Sequence, residues 1–459
     1  LEQLIRKLPN TIEGRFWFPD QAEYAFTGKA TLEVGHSYQI ECHISEKVRQ
    51  SDIFSADRIL NRYFTLFGKD RRGQPLSLLK CGCSNVVTYN LYAGITSTEV
   101  SFFVNVIILG YHLTDIDEAR FKSFSAFFTG FNQWAGLTRL AMGTDLTNTV
   151  ATSLREDHIE GLGEFRINCE GWDNPRHHDL DEQSQVRYWR PAFEPFEPIS
   201  FDRLLGHIRS FQGLFSLLYG GPIGFADLRS CILGTVGEGD FATEAQIEVE
   251  VIIKMLGYQS SFESERPTST HICLRDIADL WPTILSNWFI FYDKMVDVFN
   301  LYLTVVLAPD LAAHYKFLFL AQAIEGFHRD GSKKRKFSDS EYRRRKSLVL
   351  ASAPESEKEW LSEALEYSPQ ENLCTRLLEI IEPLKEILND WDDDFDFFCK
   401  NVKRARDYLT HPDNKEKGEF DYGDLWKKLL TVLEICFLRE ICIDEKVYSM
   451  IVRRHPFRR

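Results

Sequence analysis

The sequence predicts an α+β multidomain protein, with a β-rich N-terminal region followed by a C-terminal all-α helical bundle. Before about residue 270, β-branched and aromatic residues gather in short runs punctuated by Gly, Asn and Asp. Beyond about residue 275, apolar residues recur at helical spacing. A chain of 459 residues also exceeds one ordinary core, so two or three domains are expected.

The strands come first. Thr31 to Ile44, Leu76 to Tyr89 and Glu99 to His112 read as extended segments. Arg120 to Trp134 and Phe201 to Tyr219 read as inserted helices. Gly171 to Gln185 carries Pro175, His177 and His178 among Asp173, Asp179, Asp181 and Glu182, a polar loop that could divide the β-rich region. Ala245 to Met255 is a further strand, with Ile247, Val249 and Val251 set against Glu248 and Glu250. The expected domains are residues 1–150, β-rich; residues 151–275, mixed α/β; and residues 276–459, helical.

In the helical part, Leu280 to Val306 and Leu311 to His328 are separated by Pro309, which cannot continue a helix. Residues 330–356 are polar and charged, which predicts a mobile loop. Helices resume at Glu357 to Glu366, Glu371 to Leu388, Asp394 to Leu409 and Leu425 to Ile441. The last sets Leu425, Leu429, Val432, Leu433, Cys436 and Phe437 on one face, a stripe for bundle packing.

Composition narrows the function. The formal charge of −14 excludes a general nucleic-acid coat. Residues 1–310 carry roughly −13 and residues 311–459 roughly −1, so basic residues concentrate in the last third. Two clusters stand out there: Lys333, Lys334, Arg335 and Lys336, then Arg343, Arg344, Arg345 and Lys346. Each reads either as a solvated loop or as a phosphate-contacting rim. The apolar stretch Trp281 to Ala308 is broken by Asn287, Asp293, Lys294, Asp297 and Asn300, which argues against a membrane span. The 10 cysteines form no disulfide framework, and no export signal is legible, so a cytoplasmic location is expected. Cys81 and Cys83, with Cys42 and His43, lack the paired spacing of a zinc site; buried free cysteines are the expectation and a structural zinc the minor alternative. His177 and His178 with Asp173 and Asp179 read as a solvated loop before a metal site. Leu218 to Gly224, "LYGGPIG", lacks the Lys-Ser/Thr of a phosphate loop and reads as a turn.

One stretch points to chemistry: "FFCKNVKRARDYLTHPD", Phe397 to Asp413. Arg406 lies near the end of a helix, and His411 precedes Pro412. A residue before proline is pushed away from helical dihedrals, so His411 should leave the helix as it ends. RNA cleavage without metal needs a proton taken from a 2′-hydroxyl and charge stabilised on phosphorus oxygens. Histidine suits the first task and arginine the second. By spacing alone the pair is a weak signal, and a surface pair closing a helix explains it equally. Asp407 could orient a neighbour or stay solvated. Glu325, His328 and Arg329 form a second cluster, with Glu325 and His328 on one helix face, either an ordinary surface pair or a support for Arg406 or RNA.

"RDYLTH" followed by Pro412 resembles the Arg-x4-6-His motif of HEPN ribonucleases. "FLFLAQAIEGFHR", Phe317 to Arg329, resembles the first conserved helix of the ApeA-type HEPN domain. "IEGRFWFPDQAEYAFTGKATLEV" (Ile12 to Val34), "LFGKDRRGQPLSLLKC" (Leu66 to Cys81) and "FSAFFTGFNQWAGL" (Phe124 to Leu137) are similar to the ApeA N-terminal domain. Residues 150–270 match poorly. The resemblance implies a bacterial anti-phage protein with a sensing N-terminal part and a HEPN ribonuclease bundle. It implies a homodimer or higher even oligomer, with paired Arg406 and His411 facing across the interface. It implies cleavage of single-stranded or loop RNA, with host RNA as substrate, tRNA included, 2′,3′-cyclic phosphate ends, a phage-derived trigger and no metal or cofactor for catalysis. Asp407 and His411 complete the implied catalytic set with Arg406; Lys403 and Arg404 join Glu325, His328, Arg329 and the basic clusters as supporting or RNA-binding residues. Many HEPN motifs have Asn where this chain has Asp407, and Asp413 argues against the subtype with Tyr at that place. The rival expectation is a non-enzymatic bundle that dimerises or binds nucleic acid beside a β-rich ligand-binding module.

Overall fold

The computed structural model describes residues 11–31, 38–44, 63–90, 96–135, 157–159, 162–172, 186–236, 243–253, 272–331, 339–366, 372–388, 391, 394–411 and 419–447. The chain divides into two compact units, residues 1–282 and 283–459.

The described strands of the first unit are β1 (Thr11–Trp17), β2 (Phe26–Thr31), β3 (Tyr38–Ile44), β4 (Phe64–Asp70), β5 (Pro75–Asn90), β6 (Thr96–Val104) and β7 (Val106–Leu109). They continue with β8 (Phe121–Phe128), β9 (Asp157–Ile159), β10 (Gly163–Trp172), β11 (Val186–Pro195), β12 (Phe225–Val236) and β13 (Thr243–Ile253). All described pairings are antiparallel. Because β4 pairs with both β1 and β5, strands β1, β2, β3, β6, β5 and β4 close into a small barrel. Closure removes free edges, and side chains fill so narrow an interior. Phe16, Leu66, Leu76, Leu78, Phe102 and Ile107 are fully buried there. A Cβ at Gly14 would collide with the Lys69 carbonyl oxygen, so glycine lets β1 approach β4. Strand β5 is shared: its residues 76–79 pair with β7 and 82–90 with β6, and Lys80 takes a φ of 51° where the partner changes.

From β7 the sheet runs on through β13, β12, β8, β11, β10 and β9. The helix α1 (Phe131–Trp134) is a single turn, and α2 (Phe201–Tyr219) spans 19 residues. Ser200 caps the N-terminus of α2, and Gly220, at φ 79°, closes it in the "LYGGPIG" turn. Phe128, Phe131, Trp134, Phe165, Phe193, Phe211, Phe215 and Trp281 form the aromatic core of this part. That core accounts for part of the phenylalanine content.

Three expectations for this unit are corrected. Arg120 to Trp134 is not a helix; it is strand β8 followed by one turn. Phe121, Phe124, Phe128 and Phe131 mimic helical spacing, but pairing with β11 and β12 on both sides decides for a strand. Residue 150 is not a boundary between compact units, since β7 pairs with β13 and β8 with β12. The segment Thr31 to Ile44 divides between β2 and β3. Residues 173–185, with His177 and His178, lie outside the described ones.

The second unit begins within α3 (Trp281–Lys294), followed by α4 (Val296–Leu307), α5 (Ala313–Gly331), α6 (Asp339–Ser352), α7 (Lys358–Glu366), α8 (Leu373–Ile381), α9 (Phe395–Thr410) and α10 (Tyr422–Glu440). The expected helix 280–306 is broken at Met295, with φ −116° and ψ 26°. The expected loop 330–356 contains α6, a correction. Its Arg, Lys, Leu and Ala are good helix formers, and Glu341 pairs with Arg344 and Arg345 across one turn. The sequence concealed it because the helix has no apolar stripe. Pro383 ends the regular part of 371–388, leaving a 3-10 turn over Glu382–Leu384.

The expected stripe on α10 is buried, from Leu425 to Phe437. Phe437 packs at 4.5 Å from Phe299 and 5.4 Å from Tyr302, ring centre to ring centre. Tyr302 donates to the buried carboxylate of Glu434 at 3.1 Å. Helix α5 meets α10 through Phe317 and Tyr422 and through Phe327 and Phe437. Among the described residues, no helix is long and apolar enough to cross a membrane.

Candidate active site

Helix α9 starts at a firm cap: the Asp394 carboxylate accepts from the backbone N–H groups of Asp396 and Phe397, at 2.9 and 3.3 Å. Its buried face is Phe398, Cys399, Val402 and Ala405. Burial pushes the Cys399 thiol up to about 12, so it stays protonated, as core cysteines do. Arg406 follows Ala405 at the margin of this face. It is held rather than left to swing in water.

Two carboxylates hold it. Arg406 Nη2 donates to Glu325 Oε1 on α5 at 3.0 Å, and Arg406 Nη1 lies 3.2 Å from Asp407 Oδ1. Asp407 also takes Lys403 Nζ at 2.7 Å, one turn earlier. Arg406 Nε is buried with no hydrogen-bond partner among the described residues. Glu325 belongs to the same network through its backbone, whose carbonyl accepts from the buried Arg376 of α8 at 3.4 Å.

His411 ends the helix as Pro412 requires. Its backbone N–H still bonds to the Asp407 carbonyl at 2.9 Å, while φ −131° and ψ 76° leave the helical range. The residue is exposed, and its ring makes no hydrogen bond to any described residue. An imidazole so placed is open to a substrate.

The structure thus brings together Arg406, Asp407, Lys403 and Glu325. Glu325 and His328, both on α5, take different partners. His328 is buried and its Nε2 lies 2.8 Å from Glu379 Oε2 on α8, so it ties helices together. Arg329 and Arg404 are exposed. Arg343, Arg344 and Arg345 stand on α6, with Arg344 and Arg345 on Glu341, whose carboxyl their guanidiniums hold down at about 2. Lys333, Lys334, Arg335 and Lys336 lie outside the described residues, as do the side chains of Cys42, His43 and Cys83. Arg376 and Glu379 escaped the sequence reading, because no local pattern ties a residue of α8 to one of α5.

A helical bundle with an Arg-x4-His pair at the end of a core helix, preceded by a β-rich unit, defines a two-part protein of the HEPN class. The family model described as Apea-like HEPN matches residues 318–447, and that described as ApeA N-terminal domain 1 matches residues 11–288. The chain belongs to the ApeA family. The N-terminal match runs through residues 150–270, where the sequence resemblance is weakest, and the single sheet explains its continuity. The two domains support an anti-phage effector of HEPN type. Comparison with curated proteins and with solved structures gives no match.

Proposed function

We propose that the protein is a metal-independent endoribonuclease that cleaves host RNA, with tRNA the expected target, when infection is sensed by its N-terminal unit. The observation that carries this reading is the end of α9. Arg406 is anchored there by Glu325, and His411 leaves the helix exposed, five residues on.

In this reading two copies meet, and each contributes the pair. The guanidinium of Arg406 binds the phosphate and stabilises charge on its non-bridging oxygens. His411 takes the proton from the 2′-hydroxyl, and the 2′-oxygen attacks phosphorus. The bond to the 5′-oxygen breaks, and that oxygen receives a proton from His411 of the partner subunit. The products are a 2′,3′-cyclic phosphate and a 5′-hydroxyl. No metal or cofactor is needed. A cytoplasmic site of action follows from the substrate.

A rival reading draws on one observation: Arg406 is already paired with Glu325 and Asp407. In it the cluster is a structural ion pair, and the bundle only dimerises or binds nucleic acid. Full-length His411→Ala separates the two. Loss of the proton-transfer group is expected to lower RNA cleavage by about 100-fold or more while the oligomer stays intact. Cleavage at the unaltered rate would remove the ribonuclease mechanism. Added chelator should leave the rate of the unmodified protein unchanged, and full inhibition would point to a metal-dependent nuclease.

A further inference from the structure

The last turn of α9 carries an aromatic ring that the reaction does not use. Tyr408 lies two residues after Arg406 and three before His411, and 37% of its surface is exposed. Residues three or four apart share a helix face, so Tyr408 lies on the side that carries Arg404 and leads into His411. Arg406 turns the other way, to Glu325 on α5.

Tyr408 is the outer rung of a ladder. Its ring lies 5.8 Å from that of the half-buried Phe420, tilted by 48°. Phe420 lies 5.9 Å from Tyr422, tilted by 49°. Tyr422 lies 5.4 Å from Phe317 of α5, which is fully buried. One end of the ladder is therefore fixed in the core and the other meets solvent. Burial first, and Tyr408 second, raise the pKa of the Tyr422 hydroxyl, in keeping with how closely the rings stand. An exposed ring on such a support loses little freedom when something stacks on it.

The surroundings say what would stack. Arg404 is exposed one turn before Tyr408, while Lys403 beside it is paired with Asp407. A flat aromatic face between the exposed Arg404 and the exposed imidazole of His411 matches a planar base carried on an anionic chain. We infer that Tyr408, backed by Phe420 and Tyr422, is a stacking platform for an unpaired nucleobase of single-stranded RNA beside the phosphate that is cut. This inference rests on the ribonuclease reading for the position of that phosphate. It adds a residue that the reading lacks: a ring that holds one unpaired base at the cut.

Binding is measured with full-length His411→Ala protein, so that no cleavage confuses it. The probes are a fluorescein-labelled oligoadenylate and the same chain with abasic riboses. The parent should prefer the oligoadenylate. Tyr408→Ala should weaken oligoadenylate binding by about 10-fold or more, and should leave the abasic chain nearly unaffected. Tyr408→Phe and Tyr408→Trp should retain the preference, since each keeps a stacking face, and they guard against a mere loss of fold. With His411 intact, Tyr408→Ala should raise KM for RNA more than it lowers kcat.

If Tyr408→Ala binds both probes as its parent does, the platform is refuted while His411-dependent cleavage still stands. If the variant changes oligomeric state but not base preference, the ring is a subunit contact and the inference falls. If no version binds RNA and the unmodified protein cleaves none, both this inference and the ribonuclease reading fail.

Discussion

Removing Glu325 is the sharpest perturbation of this site, because it releases the anchor of Arg406 and leaves Arg406 and His411 themselves unaltered. The contact is a charge-assisted hydrogen bond of 3.0 Å between side chains 26% and 24% exposed. Such a bond contributes about 1.5–3 kcal/mol when well shielded. Partial exposure screens it, so roughly 1–2 kcal/mol of stability should be lost in Glu325→Ala. A loss of that size lowers Tm by about 2–8 °C for a helical unit of this length. The catalytic effect should be larger. Without its anchor on α5, the guanidinium keeps only Asp407 and swings along its own helix. Misplacing a catalytic group by about 1 Å costs on the order of 100-fold in rate. Glu325→Gln keeps an acceptor oxygen and should lose about 10-fold, since one charge-assisted bond becomes an ordinary one. Single-turnover RNA cleavage by the full chain, with a melt on each variant, reads both effects. Full-rate cleavage by Glu325→Ala refutes the claim that this carboxylate positions Arg406. Faster cleavage would mean that Glu325 competes with the phosphate instead.

Three further outcomes follow from the structure. His207 on α2 packs beside Phe124 and Phe193, and burial first, then Arg203, lowers its pKa from 6.5 to about 4. The folded state therefore favours the neutral ring: its stabilisation is complete above pH 6.5 and is lost as pH falls toward 4, by at most about 3 kcal/mol. His207→Phe should flatten that part of the melting-temperature profile, and parallel profiles would show that His207 does not cause the loss. Replacing Arg343, Arg344 and Arg345 together by Glu should weaken RNA binding and reduce the slope of affinity against salt by about 2; an unaltered slope makes that face of α6 a solvated one. Phe437→Ala should cost about 3–5 kcal/mol in denaturant melts, and a loss below about 1 kcal/mol would show that the bundle core repacks around the gap.

Much of the helical unit was legible because its signals are local. Pro309 divides α4 from α5, Pro412 releases His411 from α9, and the α10 stripe from Leu425 to Phe437 is buried as its spacing requires. The strand β13 was legible for the same reason. Where local signals conflict or vanish, the reading failed. Phe121, Phe124, Phe128 and Phe131 carry helical spacing in a segment that β11 and β12 hold as a strand. Helix α6 has no apolar stripe, and its polar surface passes for a loop.

The order of a β-rich region before a helical one, the family resemblance and the Arg406 and His411 candidates could be read from residues alone, because each rests on patterns local in the chain. The closed barrel, the single sheet running past residue 150 and the partners of Arg406 emerge from long-range packing alone. Glu325 stands 81 residues before the arginine it holds. An ion pair at that separation has no periodicity to read; it exists because packed helices leave two opposite charges at one seam, where each lowers the cost of keeping the other out of water.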